Sequence, residues 1–155
     1  MSAERGADAD EAAIVEIGRQ ILASQPFSRL VGIELDSATR GRCVLSLPIR
    51  ADLLQHHGFV HGGALSCLVD IALTYAGATA LAVPVVTSEF KVNYLRPALG
   101  HRLVARAEAL HAGRNQAVCR CELYAFGDDG AEKLCALAQG TIVRLGEPPA
   151  GRREG

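Results

Sequence analysis

This sequence has almost no net charge: sixteen Lys and Arg stand against seventeen Asp and Glu, a formal −1 over 155 residues. Without a dominant sign there is no global field aimed at nucleic acid or an anionic membrane, and an anionic ligand has to be held locally. Paired cysteines of the zinc or redox type are missing too. Cys43, Cys67, Cys119, Cys121 and Cys135 are odd in number, form no CxxC and lie inside apolar periodic segments. They read as small buried hydrophobes in a reducing cytoplasm. The opening MSAERGADADEAA lacks the apolar h-region of a secretory signal, which adds to the cytoplasmic expectation. Repeats and low-complexity tracts are absent outside the two ends, and the length suits one domain.

Only Ala64 to Val83 is long and apolar enough to raise a membrane span. It is rich in Ala, Gly, Ser and Thr and carries Asp70, so a buried core helix is expected and no membrane partner. Residues 1–8 are small and polar, and 146–155 are dominated by Gly, Pro and Arg. Both are expected to be flexible tails around a single domain at 9–145. From Asp10, the apolar positions Ile14, Ile17, Ile21 and Leu22 keep helical spacing, with Asp8 or Asp10 as caps and Pro26 just past the end. That predicts a short amphipathic first helix.

Extended segments follow at Gly32 to Asp36 and Arg42 to Ile49, a hairpin around Gly41. The apolar helix from about Gly62 to Val83 stops at Pro84. Period-2 segments fill the rest at Val85 to Leu95, Arg102 to Ala112, Gln116 to Phe126 and Ala131 to Leu145. The short Gly, Pro, Asn and Asp stretches between them favour antiparallel neighbours. A ten-residue strand spans about 33 Å and a twenty-residue helix about 30 Å. The expected fold is α+β, a curved antiparallel sheet of about six strands wrapped around one central helix.

Chemistry concentrates between Gln55 and Asp70. His56, His57 and His61 invite a metal, but Gly58 and Gly62-Gly63 argue against a helix carrying His57 and His61, and no third ligand lies near in sequence. No metal is expected. The glycine pair suits a helix start whose free amides point outward and favour negative charge, the physics of an oxyanion hole. Tight packing of helix on sheet explains the same glycines equally well. Asp70 is the only charged residue between Gln55 and Ser88, and a carboxylate on so apolar a helix must be paired, hydrogen-bonded or functional. A hydroxyl, a backbone amide, or Arg106 or Arg120 on a facing strand are its structural partners to consider. Eight residues of helix put about 12 Å between Gly62 and Asp70, too far to act on one carbonyl within a chain. If both act, they come from different subunits, and the chain is at least a dimer.

The run Gly58-Phe59-Val60-His61-Gly62-Gly63-Ala64-Leu65, then Leu68-Val69-Asp70, then Val86 through Asn93-Tyr94-Leu95-Arg96-Pro97-Ala98, resembles the hotdog-fold thioesterases of the PaaI type. The resemblance extends from about Pro26 to Val143. It implies a hotdog fold, homodimers often paired into tetramers, and hydrolysis of acyl-coenzyme A at the subunit interface. Asp70 takes the place of the general base or nucleophile. Gly62, with His61 beside it, takes the place of the amide that polarises the carbonyl, and Thr87 that of a residue holding the water. Gln55 stands where the family usually has Asn, six residues before His61. The added methylene bears on efficiency, since a 1 Å misplacement can cost about a hundredfold in rate.

The resemblance also places substrate along Phe59, Val60, Gly63, Ser88, Glu89 and Phe90. Tyr75 joins Phe59 and Phe90 in setting acyl depth, and Lys91, Arg96 or Arg114 meet the coenzyme phosphates. Coenzyme A is then part of the substrate and no resident cofactor is implied. The rivals are a non-catalytic acyl-binding hotdog subunit and, further back, a hotdog hydratase or dehydratase.

Overall fold

The structure, a computed structural model, describes residues 2–146, with side chains from residue 11 onward. In chain order its elements are α1 (Ser2–Ser24), α2 (Pro26–Val31), β1 (Glu34–Thr39), β2 (Arg42–Pro48), a 3-10 turn (Ala51–Leu53), α3 (Gly62–Leu81), β3 (Val85–Tyr94), β4 (Arg102–Ala112), β5 (Gln116–Phe126) and β6 (Glu132–Arg144). The strands form one antiparallel sheet in the order β1-β2-β4-β5-β6-β3. Register shifts in β1, β3, β4 and β6 insert bulges, which bend and twist the strands around the helix.

The core is the contact between α3 and the inner face of the sheet. Leu68, Val69, Ala72, Leu73 and Ala76 on the helix are fully buried, as are Leu45, Leu103, Ala105, Leu123 and Ile142 on the strands. Small residues let the backbones approach closely. A Cβ on Gly77 would lie 2.6 Å from Ile142, and one on Gly140 would lie 2.7 Å from Phe90, so these two glycines are required by packing. Cys43, Cys119, Cys121 and Cys135 are buried free thiols. Desolvation pushes Cys119 up to about 11 and Cys121 to about 12, which leaves them protonated and inert at neutral pH.

Strand and helix positions follow the hydrophobic periods closely, but the first third of the chain departs from expectation. The first helix reaches back through residues 2–8 to Ser2, because Ala, Glu and Arg there are good helix formers. Pro26 does not merely end that helix. It opens α2 as an early-turn proline, where a missing N–H costs nothing. Gly32 closes α2 at φ 88°, and Arg50 donates to the Val31 carbonyl at 2.6 Å. The first strand therefore starts at Glu34 rather than Gly32. Of the carboxyl-terminal segment read as a tail, 147–155 lie outside the described residues.

Candidate active site

A helix start leaves four amides without intrahelical partners. In α3 three are accounted for. His61 N–H donates to the Leu53 carbonyl at 2.8 Å, and Ala64 N–H to the His61 carbonyl at 2.9 Å. Gly63 N–H donates to His61 Nδ1 at 2.8 Å. Because Nδ1 accepts, the proton of the neutral ring sits on Nε2. Only the Gly62 amide has no acceptor among the described residues.

The glycine pair divides accordingly. A Cβ on Gly63 would stand 3.0 Å from His61 Nδ1, crowding the cap, whereas one on Gly62 would meet only the Tyr94 ring at 3.5 Å, an ordinary contact. Packing within the chain does not require glycine at 62. Its bare Cα leaves the one free amide open to approach.

The loop before the helix is held by its own backbone. Leu54 and Val60 form an isolated bridge, Gln55 N–H donates to the Phe59 carbonyl at 2.9 Å, and Val60 N–H to the Ala98 carbonyl at 3.1 Å. Gly58 turns the chain at φ 84°. Gln55 Oε1 accepts from His57 N–H at 3.1 Å, so the oxygen of its amide belongs to the turn. Its NH₂ end has no acceptor among the described residues.

Asp70 lies half-buried on the third turn of α3. Thr87 at the start of β3 donates to Asp70 Oδ1 at 2.7 Å. Thr74 bonds both the Thr87 hydroxyl and the Asp70 carbonyl, each at 2.8 Å. Thr87 has a single proton and gives it to the carboxylate, so the one Thr74 proton is shared between the Asp70 carbonyl and the Thr87 oxygen. Oδ1 is thus held, while Oδ2 has no protein partner among the described residues. Arg106 and Arg120, the alternative partners, are absent from this cluster. They alternate with buried Ala105, Ala107, Cys119 and Cys121 and bond Glu132 and Glu108 on the outer face of the sheet. Cys67, one turn before Asp70, is pushed up to about 11 by burial and by the nearby carboxylate, so it is no nucleophile at neutral pH.

Thr74 was not among the expected residues. Its signal was the i, i+4 spacing from Asp70, which puts both on one helix face, but a mid-helix Thr is ordinarily explained by bonding its own i−4 carbonyl.

Phe59, Val60 and Arg96 meet at a cavity of about 290 Å³ that Gly62, Leu65 and Tyr94 also line. Tyr94 and Leu65 are additions to the expected set. Tyr75 does not reach it: its hydroxyl donates to Gly18 of α1 at 2.8 Å. In β3 the bulge falls at Ser88. Phe90 turns inward onto Gly140, while Glu89 and Lys91 are exposed on the other face, with Glu89 accepting from the Thr141 hydroxyl. Arg96 and Arg114 sit at opposite ends of the sheet. Tyr94 pairs with Ala136 and Gln116 with Val143, a separation of about 23 Å along β6. One chain cannot bring both arginines to one phosphate.

The thioesterase superfamily pattern matches residues 57–132, the span holding His61, Gly62, Asp70, Thr74 and Thr87. The acyl-coenzyme A thioesterase PaaI of Escherichia coli is 30% identical over 120 residues, which cover 77% of this chain and 82% of that protein. This chain belongs to the PaaI-type hotdog thioesterases. As such it is a thioester hydrolase. This PaaI-type thioesterase is also 27% identical to the medium/long-chain acyl-CoA thioesterase YigI of Salmonella typhimurium, over 74% of the chain and 84% of the relative. Its fold matches the crystal structure of a thioesterase family protein from Silicibacter pomeroyi with a TM-score of 0.79 and 37% identity, covering 86% of this chain and 99% of that one.

Proposed function

We propose that this thioesterase hydrolyses acyl-CoA to a free acid and coenzyme A at a site completed by two subunits. The Gly62 amide of one subunit holds the thioester oxygen, and Asp70 of the other is the general base. The observation that carries this is the pair of unspent groups on α3, the Gly62 N–H and Asp70 Oδ2, about 12 Å apart on one helix. Neither reaches the other's substrate atom within a chain.

Two features support assembly. The strand β3 is at the edge of the sheet, ten residues long and bonded only to β6, and such an edge invites pairing. Two copies of β3 paired antiparallel about a twofold axis set the Thr87 end of one against the Tyr94 end of the other, bringing Asp70 towards the partner's Gly62 amide. Along α3, Gly63, Cys67, Asp70, Thr74, Ala78 and Leu81 form a stripe, tied to the edge strand β3 through Asp70 and Thr74, that the chain itself leaves exposed or half-buried. The same pairing carries the Arg114 end of one subunit towards the Arg96 end of the other, where both would meet coenzyme phosphates. A dimer is the minimum unit, and a dimer of dimers fits the family. The free cysteines support a reducing cytoplasm.

In this mechanism Thr87 fixes Oδ1, leaving Oδ2 to take a proton from water. The hydroxide attacks the thioester carbon, negative charge gathers on the oxygen facing Gly62 N–H, and the tetrahedral intermediate collapses as the C–S bond breaks, the departing coenzyme thiolate taking the proton held by Asp70. A positioned base contributes about 10² to 10⁴-fold and an oxyanion donor about 10² to 10³-fold. The cavity beside Gly62, walled by Phe59, Val60 and Leu65, supports an apolar acyl group. Its 290 Å³ equals about ten water-sized groups.

Thiol release across a panel of aryl and straight-chain acyl-CoA esters tests the proposal. Turnover that disappears in Asp70→Asn, with the assembly intact, is the expected result. Near-wild-type release by that variant refutes the role of Asp70, and binding without turnover by the wild type refutes the reaction.

A further inference from the structure

Glycine has the widest backbone freedom of any residue, yet the amide at Gly62 has to hold its direction for an oxyanion to find it. A misplacement near 1 Å in a positioned group costs about a hundredfold in rate. On its amino-terminal side the peptide is fixed by His61, whose N–H bonds Leu53 and whose carbonyl accepts from Ala64. On its carboxyl-terminal side, among the described residues, the one hydrogen bond from another element comes from Tyr94. The Tyr94 hydroxyl donates to the Gly62 carbonyl at 3.0 Å, and its ring lies 3.5 Å from the point a Gly62 Cβ would occupy. Ser66 bonds the same carbonyl at 2.8 Å, but from within the helix, so it moves with the turn it stabilises.

Tyr94 is the last residue of β3, the strand whose other end holds Asp70 through Thr87. A single edge strand thus grips both functional points of α3. We infer that Tyr94 is a positioning residue, latching the first turn of α3 to the end of β3 so that the Gly62 amide keeps a fixed direction. This rests on the proposed use of Gly62 as oxyanion donor. The latch sits on the edge proposed to pair with a second subunit, so closure of that edge and orientation of the amide are mechanically coupled.

Tyr94→Phe keeps the ring and removes only the hydroxyl. It is expected to lower kcat by between about tenfold and a hundredfold with KM changed by no more than about twofold, because the apolar wall survives. Nuclear relaxation of the Gly62 amide gives a readout independent of turnover. Its order parameter should fall from about 0.85 in the wild type towards 0.6 in the variant. An unchanged kcat, or a loss confined to KM, overturns the latch, and so does an unchanged order parameter. If the wild type releases no thiol from any ester, the thioesterase proposal fails by itself and the order parameter alone decides the role of Tyr94.

Discussion

At the scale of single residues, the two glycines opening α3 have opposite reasons to be there. Gly63 gives its N–H to His61 Nδ1, and a Cβ there would crowd that ring at 3.0 Å, while Gly62 has room and keeps its N–H free. Gly62→Ala should fold with wild-type stability to within about 0.5 kcal/mol and lose up to about a hundredfold in kcat, because the added Cβ crowds approach to an amide that alanine retains. Urea denaturation and steady-state thiol release measure the two, and a fully active Gly62→Ala enzyme would show that the amide does not need a bare Cα beside it. Thr74 is separable in the same way. Thr74→Val keeps the branched shape but not the hydroxyl that sets the Thr87 proton towards Asp70, and a fall in kcat of about twofold to tenfold is expected. Thr74→Ser should restore most of it.

At the scale of elements, the sheet and the central helix were legible because their hydrophobic periods are long. The expected bounds of β4 and β5 coincide with those observed, since alternation over eleven residues fixes both ends. The segment from Pro26 to Leu53 was less legible. A proline can follow one helix or open the next, and nothing local to Pro26 distinguishes them; the choice is made by Arg50, nineteen residues beyond Val31, which holds the end of α2. Close packing of α3 on β6 was also invisible in sequence, since Gly77 is only one small residue among many. Its absent Cβ is required by Ile142, so Gly77→Ala should destabilise the fold by about 1 to 3 kcal/mol. Equilibrium urea unfolding at neutral pH checks this, and a neutral effect would mean that helix and strand part without cost.

At the scale of the whole molecule, a composite site makes a prediction that no single-chain site shares. Asp70→Asn and Gly62→Ala subunits are each strongly impaired as homodimers, but a mixed dimer joins an intact Gly62 to an intact Asp70 at one of its two sites. Isolated mixed dimers should recover roughly half of wild-type activity, and an unsorted random mixture roughly a quarter. Co-expression of differently tagged chains followed by tandem purification and thiol assay tests this, and no recovery would place both groups in one subunit or outside the reaction.

The buried thiols set a second property of the whole. Desolvation raises Cys121 to about 12 and Cys119 to about 11 in the folded state, from 9.0. Above pH 9 the unfolded chain loses protons that the folded chain keeps. Stability is therefore complete below the unfolded value and declines as pH climbs from 9 towards 12, by up to about 1.4 kcal/mol per pH unit for each thiol. Urea midpoints at pH 8 and pH 10 under reducing conditions follow that decline, which Cys121→Ala should lessen.

The sequence by itself determined the hotdog sheet, its central helix, and Gly62 and Asp70 as the residues to watch. Periodicity and the spacing of charge along an apolar helix are local, and helix rise alone shows that the two lie too far apart for one carbonyl. What only the tertiary structure decided was which atoms are left over. Arg106 and Arg120 turn outward and leave the carboxylate to Thr87, itself held by Thr74, and His61 takes the Gly63 amide and spares that of Gly62. Hydrogen bonds are allotted across elements distant in the chain, so an unspent donor or acceptor becomes visible only when every neighbour has been placed.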